Sequence, residues 1–522
     1  MKPFLLLPLS LALLSGSLLS QVMPREQLID AVREFKRFFK KYPKPAQRVE
    51  AVMSLESIDC PEAVHALTPL LRHKEPDIQK AAKLVLSGYK APETYKAVLE
   101  GLPELTDREM RAQMFDVISR AGQVGLKSTM KQIWDASQES LTVAEKYYMA
   151  RAYGALGAEL YEDIIGTLTE DRAYQVRLAA LDTARTSKLK GLGPKLLGLL
   201  DDPVWQVQAA AIKCVGRLRT MEAVVPLIAF LEKEGRLKKD AANALFEITA
   251  RDFGTDHAAW EKQWKFLTSI KGFRLPTEVE LEKARKTRAK ADKNYKLKKG
   301  DKAFAGIPTN STRVIFIIDV SASMDDLVVD RQKFRAGNYP SFRKIDIVKT
   351  ELLRTINGLN QHTHFNILAF AKKVKGWKRW LTPGTINYKA SAISFVKRMQ
   401  PLGVAKKGMF GATGDDSGKT NTHAALMRAF DLDPAKGVSS TAITGGKKSV
   451  RKALKLDTIY FLTDGRPTVG KFVDTEDILK EVGKINEVRG IVIHTISIGE
   501  FEASFMRRLA ENNGGVFVNL GG

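Results

Sequence analysis

Two kinds of hydrophobic patterning divide this chain. From about Ala46 to Ala250, an apolar residue, two polar ones and a run of small residues recur. IQKAA begins at Ile78, MRAQM at Met110, VRLAA at Val176 and VQAAA at Val207, with weaker copies from Ala46, Val143 and Leu237, so that successive starts lie 30 to 33 residues apart. Acidic or proline-bearing turns precede several copies: EPD at Glu75, TD at Thr106, ED at Glu170 and DDP at Asp201. A unit of this length holds about two amphipathic helices, and it buries its apolar face only by stacking on its neighbours.

From Arg313 the pattern changes. The short apolar runs VIFII (Val314–Ile318), FNILAF (Phe365–Phe370), IYFL (Ile459–Leu462), IVIHTI (Ile491–Ile496) and VFV (Val516–Val518) read as strands, and KIDIVKTELLRTINGL, THAALMRAF, TEDILKEVGKINEV and SFMRRLAEN as helices between them. Near-continuous β-branched strands separated by helices predict a mostly parallel sheet covered on both faces. Such a sheet places its site beyond the carboxyl ends of its strands. The chain is therefore expected to be multidomain, with an all-α solenoid over residues 21–270, a basic linker over 271–310 and an α/β doubly wound, Rossmann-like domain over 311–522.

The first twenty residues stand apart. Lys2 precedes an apolar run from Phe4 to Leu14 and then Ser15, Gly16 and Ser17, the layout of a secretory signal cleaved near Ser17 or Ser20. Pro8, Ser10 and the Ser-Gly-Ser break leave too little apolar length for a membrane span. The expected location is exported (periplasmic, cell-surface or secreted), with no transmembrane segment in the mature chain. The two cysteines, Cys60 and Cys214, fall in the first and sixth copies. Helices stacked about 10 Å apart would hold them beyond disulfide reach, so both are expected to be buried, reduced side chains.

Composition is that of a soluble globular protein, 44% hydrophobic and 27% charged, but the net charge of +24 is unusual. Lys283 to Lys302 carries ten Lys or Arg against Asp292 and Asp301, which is +8 of that +24. A run of this kind reads first as a solvated helix or tether, and second as an electrostatic attachment to an anionic polymer or surface. Nucleic acid is disfavoured by export and by the lack of interleaved aromatics, Tyr295 being alone there.

The candidate chemistry lies at three strand and helix ends. VIFII runs into Asp319-Val320-Ser321-Ala322-Ser323, IYFL ends in Thr463-Asp464-Gly465, and Gly418-Lys419-Thr420-Asn421 precedes THAALMRAF. Two carboxylates and three hydroxyls, with no sulfur or imidazole, suit a hard cation: Mg²⁺ first, with Mn²⁺ or Ca²⁺ as alternatives. Gly-Lys-Thr also resembles a phosphate-binding loop. That loop needs a glycine where Thr413 stands and a buried strand where KKGMFGATGDDS stands, so a nucleotidase is excluded. GGKKS at Gly445 fails the same spacing test. HExxH, GxSxG and CxxC are all missing, and the seven histidines are scattered. His423 reads as a solvent-facing helix-start residue, and Trp205, Trp260 and Trp264 as core. No enzyme is expected.

Two family resemblances follow from these motifs. Through DDPVWQVQAAAIKCVGRL and its copies, the helical region resembles the short variety of HEAT repeats over roughly seven units, which implies a curved solenoid with an extended partner-binding surface. Through its three oxygen-bearing pieces, the segment from Arg313 to Leu520 resembles the von Willebrand factor type A domain with its metal-ion-dependent adhesion site. The resemblance makes Asp319, Ser321, Ser323, Thr420 and Asp464 the metal positions, none of them substituted. It implies direct contacts from the serines and threonine, carboxylates often acting through water, and a protein ligand that supplies an Asp or Glu. The loops depart from the family: Met324 to Arg343 and Leu402 to Ser417 are long and flank the site, while the long Leu432–Leu456 stretch belongs at the opposite end of the sheet. Two readings of function result. One is an exported, non-enzymatic adhesion or protein-binding chain; the other is a scaffold or chaperone-like assembly factor that docks onto a partner enzyme complex.

Overall fold

The structure is a computed structural model that describes residues 23–102, 105–122, 127–293, 303–309, 311–401, 419–431, 456–499 and 503–520. The expected signal segment, the Leu402–Ser417 loop and most of Leu432–Leu456 lie outside these residues. The chain forms two compact units that divide after Gln138.

The first unit is all helical. The starts expected at Ala46, Ile78 and Met110 fall in helices Pro45–Met53, Pro76–Gly88 and Arg108–Ala121, and helices Pro61–Leu67, Pro92–Gly101 and Lys127–Ser137 alternate with them. Proline opens several of these helices, where its missing N–H is one the helix could not have used. On Pro76–Gly88 the buried side chains are Ile78, Ala81, Ala82, Val85 and Leu86. That is one apolar stripe at 3.6-residue spacing, turned to the core.

In the second unit the same alternation continues. Helices Val143–Gly157, Tyr174–Thr186, Trp205–Leu218 and Leu237–Thr249 hold the remaining predicted starts. Their acidic turns have a definite task. Asp202 Oδ1 accepts from Val204 N (2.8 Å), which shapes the turn, and from Arg177 Nη2 (2.9 Å) on the helix of the preceding copy. Asp171 repeats the device one copy earlier, accepting from Ala173 N and from Lys146 Nζ, both at 2.8 Å. In the first unit Asp107 caps its helix through Glu109 N and Met110 N and pairs with Arg72. Small residues set the spacing of the helices: a Cβ on Gly216 would lie 2.8 Å from that of Ala244.

The basic run departs from the expected tether in its first half. Residues Glu278–Lys293 form a helix with Leu281 fully buried. Arg285 pairs with Glu247 and with Glu278 and Glu282. Arg288 Nη2 donates to Asn243 Oδ1 (2.8 Å), and its guanidinium lies 4.5 Å from the Phe246 ring centre. These arginines are committed to the last repeat helix rather than to solvent. Residues 294–302 lie outside the described residues.

A hairpin of β1 (Ala303–Phe304) and β2 (Ile307–Pro308) follows, turning through Ala305 and Gly306 with φ of 50° and 83°. It sets Phe304 edge-on against Phe316 and Tyr460, so the core begins before Arg313. The main sheet contains β3 (Arg313–Asp319), β4 (His364–Phe370), β5 (Val374–Gly376), β6 (Thr382–Pro383), β7 (Thr458–Thr463), β8 (Val492–Ser497) and β9 (Phe517–Asn519). Its order is β5-β4-β3-β7-β8-β9, parallel from β4 to β9, with β5 and β6 antiparallel to β4. Val314, Phe316 and Ile318 face helix Lys344–Gly358 through Ile345, Val348 and Leu352. Ile315 and Ile317 face the other layer, with Leu426, Ile478 and Met506. The chain thus leaves β3 on one face and β7 on the other, which opens a crevice at the carboxyl ends of these adjacent strands.

The opposite edge of the sheet meets the repeats. Arg236 Nη1 donates to Gly490 O (2.6 Å), Arg151 pairs with Glu487, and Asn360 Nδ2 reaches Glu234 Oε2 at 3.4 Å. Among the described residues no helix is long and apolar enough to cross a membrane.

Both cysteines are buried and free, and burial pushes the Cys214 thiol up to about 12. The native chain should leave both thiols unalkylated by iodoacetamide at neutral pH and release two on unfolding; mass spectrometry recovering a Cys60–Cys214 peptide would contradict this packing. The Arg177–Asp202 pair is buried on both sides. Asp202→Ala, which strands the guanidinium, should lower stability by about 3 kcal/mol in denaturant titrations. A loss below about 1 kcal/mol would show that the pair is solvated and not a link between copies.

Candidate metal centre

Every residue of β3 from Val314 to Asp319 is buried, so the strand offers no polar side chain until its last position. Asp319 is fully buried there. Its Oδ1 accepts from Ser321 N (2.8 Å), which turns the chain so that Ser321 and Ser323 follow on the same side, their hydroxyl oxygens 3.2 Å apart. Its Oδ2 accepts from Thr463 Oγ1, the last residue of β7.

The neighbouring strand supplies the second carboxylate. Asp464 Oδ1 accepts from Ser323 Oγ (2.8 Å), and Oδ2 accepts from Lys344 Nζ (2.8 Å). The loop beyond β7 also carries the third piece: Thr468 Oγ1 accepts from Thr420 N (2.8 Å), and Thr468 N donates to Thr420 O (3.0 Å). Asn421 N donates to Ala371 O beyond β4, and Asn421 Oδ1 accepts from Ala424 N at the start of helix Thr422–Asp431. Gly470 lets this latch close; its φ is +128°, and a Cβ there would sit 2.3 Å from Asn421 Oδ1.

All five residues expected from the sequence therefore meet at one edge. A Cβ built on Gly465 would touch Thr420 Oγ1 at 3.8 Å and Ser323 Oγ at 3.9 Å, so the absence of a side chain at 465 leaves open the space these hydroxyls share. Three supporting residues were not anticipated: Thr463, Thr468 and Lys344. Thr463 and Lys344 carry sequence signals in retrospect, one ending its strand beside Asp464 and the other opening a helix that points at the crevice. Thr468 carries none.

The electrostatics are unbalanced. Asp464, one of the two buried carboxylates, pairs with the Lys344 ammonium. Burial, together with the charge of Asp464, pushes the Asp319 carboxyl up to about 7. A carboxylate so placed gains from any cation held in the crevice. Among the described residues no group of three or more His, Cys, Asp or Glu gathers, so the donor set here is two carboxylates with three hydroxyls, all hard oxygen. His423 is not at the solvent as expected: it is buried, edge-on to Phe472 with ring centres 5.0 Å apart. His494 stacks on Tyr460 within the sheet domain and accepts from Val516 N. Of the three tryptophans expected in the core, Trp260 is buried, whereas Trp205 and Trp264 are half-buried.

Comparison with known proteins finds two kinds of likeness. Family models described as HEAT repeats and HEAT repeat match residues 37–118 and 192–218. Among curated proteins, inter-alpha-trypsin inhibitor heavy chain H1 of Mesocricetus auratus is 25% identical over 212 residues, covering 39% of this chain and 18% of that protein. Heavy chain H2 of Homo sapiens is 25% identical over 218 residues, covering 41% and 18%. Human von Willebrand factor A domain-containing protein 3A is 26% identical over 154 residues, covering 29% and 10%. The chain thus spans less than a fifth of the length of these relatives. Among solved structures, the PilB minor pilin from Streptococcus sanguinis aligns with a TM-score of 0.27 at 17% identity, over 43% of this chain and 62% of that one, a likeness too slight to support an argument. The helical pairs at residues 37–118 and 192–218 are HEAT repeats.

Proposed function

We propose that this chain is a non-enzymatic binding protein whose sheet domain is of the von Willebrand factor type A kind and holds its ligand through a divalent cation. The observation that carries the reading is the meeting of Asp319, Ser321, Ser323, Thr420 and Asp464 at one crevice, with Lys344 donating to one of its two buried carboxylates. The relative whose name includes a von Willebrand factor A domain supports the assignment.

Ser321, Ser323 and Thr420 would hold Mg²⁺ directly, with Asp319 and Asp464 behind them. The bound ion would supply a Lewis acid open to an Asp or Glu carboxylate from a protein partner. Leu327 and Val329, in the loop after β3, and Val473, in the loop after β7, are exposed apolar residues; around a polar centre they offer the apolar contact that a protein interface uses. The leader-like first twenty residues support export, and the basic residues beyond the docked helix support a further, salt-sensitive contact with an anionic polymer or surface. HEAT repeats also suit a scaffold that gathers an enzyme complex, and in that case the partner would bind equally well with and without divalent cation.

Titration calorimetry of the full chain with Mg²⁺ tests the centre. Wild type should bind one ion, and Thr420→Ala or Asp319→Asn should weaken binding at least a hundredfold while circular dichroism stays unchanged. In chelator, Asp319→Asn should unfold no earlier than wild type, because it removes a buried charge. ATP should shift neither protein. Undiminished Mg²⁺ binding by both variants would end the adhesion-site reading. Lys344→Met should act the other way: without the ammonium at Asp464, Mg²⁺ affinity should rise about tenfold. A fall instead would show that Lys344 serves to position Asp464 rather than to compete with the ion.

A further inference from the structure

Where the repeats meet the amino-end edge of the sheet, the second unit forms a recess of about 480 Å³ that opens to solvent. Its charged lining is Arg151, Arg185, Lys213 and Arg236 against Asp182 and Glu487, an excess of two positive charges (four minus two). Most of these cations are engaged. Arg151 pairs with Glu487, Arg185 with Asp182, and Arg236 donates to Gly490 O while lying 3.4 Å from Asp240. Lys213 is different: no hydrogen bond or ion pair is found for it among the described residues. Its side chain reaches the solvent of the cavity, yet the enclosing protein depresses its pKa. Asp240 opposes that shift, and the Arg236 and Arg185 charges add to it. An ammonium exposed beside two guanidinium groups, whose anionic neighbour Asp240 also faces Arg236, gains from an anion brought in from outside.

We propose that this cavity is a binding site for a small, soluble, phosphate-bearing ligand, with Lys213 as its charge contact and Arg185 and Arg236 as flanking donors. The charge matches, since a phosphate monoester carries about −1.5 to −2 at neutral pH against the excess of two positive charges in the lining. The donor types match as well, because guanidinium forks suit tetrahedral oxyanions and an ammonium contributes a compact point charge. The volume lies within the range of roughly 300–1,000 Å³ typical of small-molecule sites, larger than a bare phosphate requires. Trp205, with the Arg236 guanidinium 5.2 Å from its ring centre, and Tyr147 line the remaining space with aromatic faces. The site is separate from the metal crevice, because Gly490 and Asn512–Gly514, which close it, precede β8 and β9 at their amino ends. A ligand there would touch repeat helices and the sheet domain together.

The test uses pyrophosphate as probe, with the full chain in chelator at fixed ionic strength, read by titration calorimetry. Wild type should bind one pyrophosphate, and inorganic phosphate should compete. Lys213→Gln should weaken binding at least tenfold with an unchanged unfolding midpoint in the absence of probe. Asp319→Asn should bind as wild type does, which separates failure of this site from failure of the metal centre. Changing Lys283, Lys286 and Lys290 together to Gln should also leave binding intact. The proposal is overturned if wild type does not bind, if Lys213→Gln binds equally well, or if the triple change abolishes binding and so assigns it to the basic run. It is overturned too if phosphatidic-acid vesicles compete, since the ligand would then be a membrane headgroup and not a small soluble phosphate.

Discussion

A strand buried on both faces has no side chain to spare for chemistry until it ends. That constraint organises the sheet domain. From Val314 to Ile318 each residue of β3 is given to one of two apolar layers, and β7 is buried throughout from Thr458 to Thr463. The site's polar groups enter from the last rung onward, and because β3 and β7 are adjacent and parallel those positions arrive side by side. The connections then part to opposite faces, which keeps the space between Asp319 and Asp464 from being filled by backbone. The centre is a consequence of where apolar burial stops.

Placing carboxylates there has an electrostatic cost that the fold only partly offsets. Asp319 receives donors from Ser321 N and Thr463 Oγ1, yet burial and Asp464 still outweigh them. Lys344 compensates Asp464, whereas among the described residues no ion pair is found for Asp319. A structural site built for stability alone would have closed this balance with a second base or replaced Asp319 by a neutral residue. Imbalance of this kind, held by several converging hydrogen bonds, is what marks functional positions.

Much of this was legible in the sequence, for a definite reason. Periodicity reports which side of an element is buried, so the seven repeat starts, the four long strands and the short β9 could be read from apolar spacing, and the five oxygen-bearing residues from their position at or just beyond strand ends or before a helix. Periodicity does not report what an element packs against. Thr468 reaches Thr420 across forty-eight residues, and nothing local distinguishes it from any loop threonine. The basic run looked like a tether because its charge is visible in sequence, whereas Glu247, Asn243 and Phe246, which hold Arg285 and Arg288, lie a helix and a turn away. His423 was misplaced for the same reason, since Phe472, its cover, comes from a distant loop.

The two edges of the sheet are consequently under different physical regimes. The carboxyl edge holds two buried carboxylates, Asp319 and Asp464, with Lys344 donating to the second. The amino edge is joined to the repeats by polar contacts such as Arg151–Glu487, whose side chains are 37% and 40% exposed, and exposed pairs of this sort contribute about 0–1 kcal/mol each. Such a junction resembles the polar interfaces between domains of one chain more than it resembles a core. Its strength therefore depends on whatever neutralises the surplus of positive charge beside it. An anion at Lys213 would join Asp240 in offsetting the Arg185 and Arg236 charges at this junction.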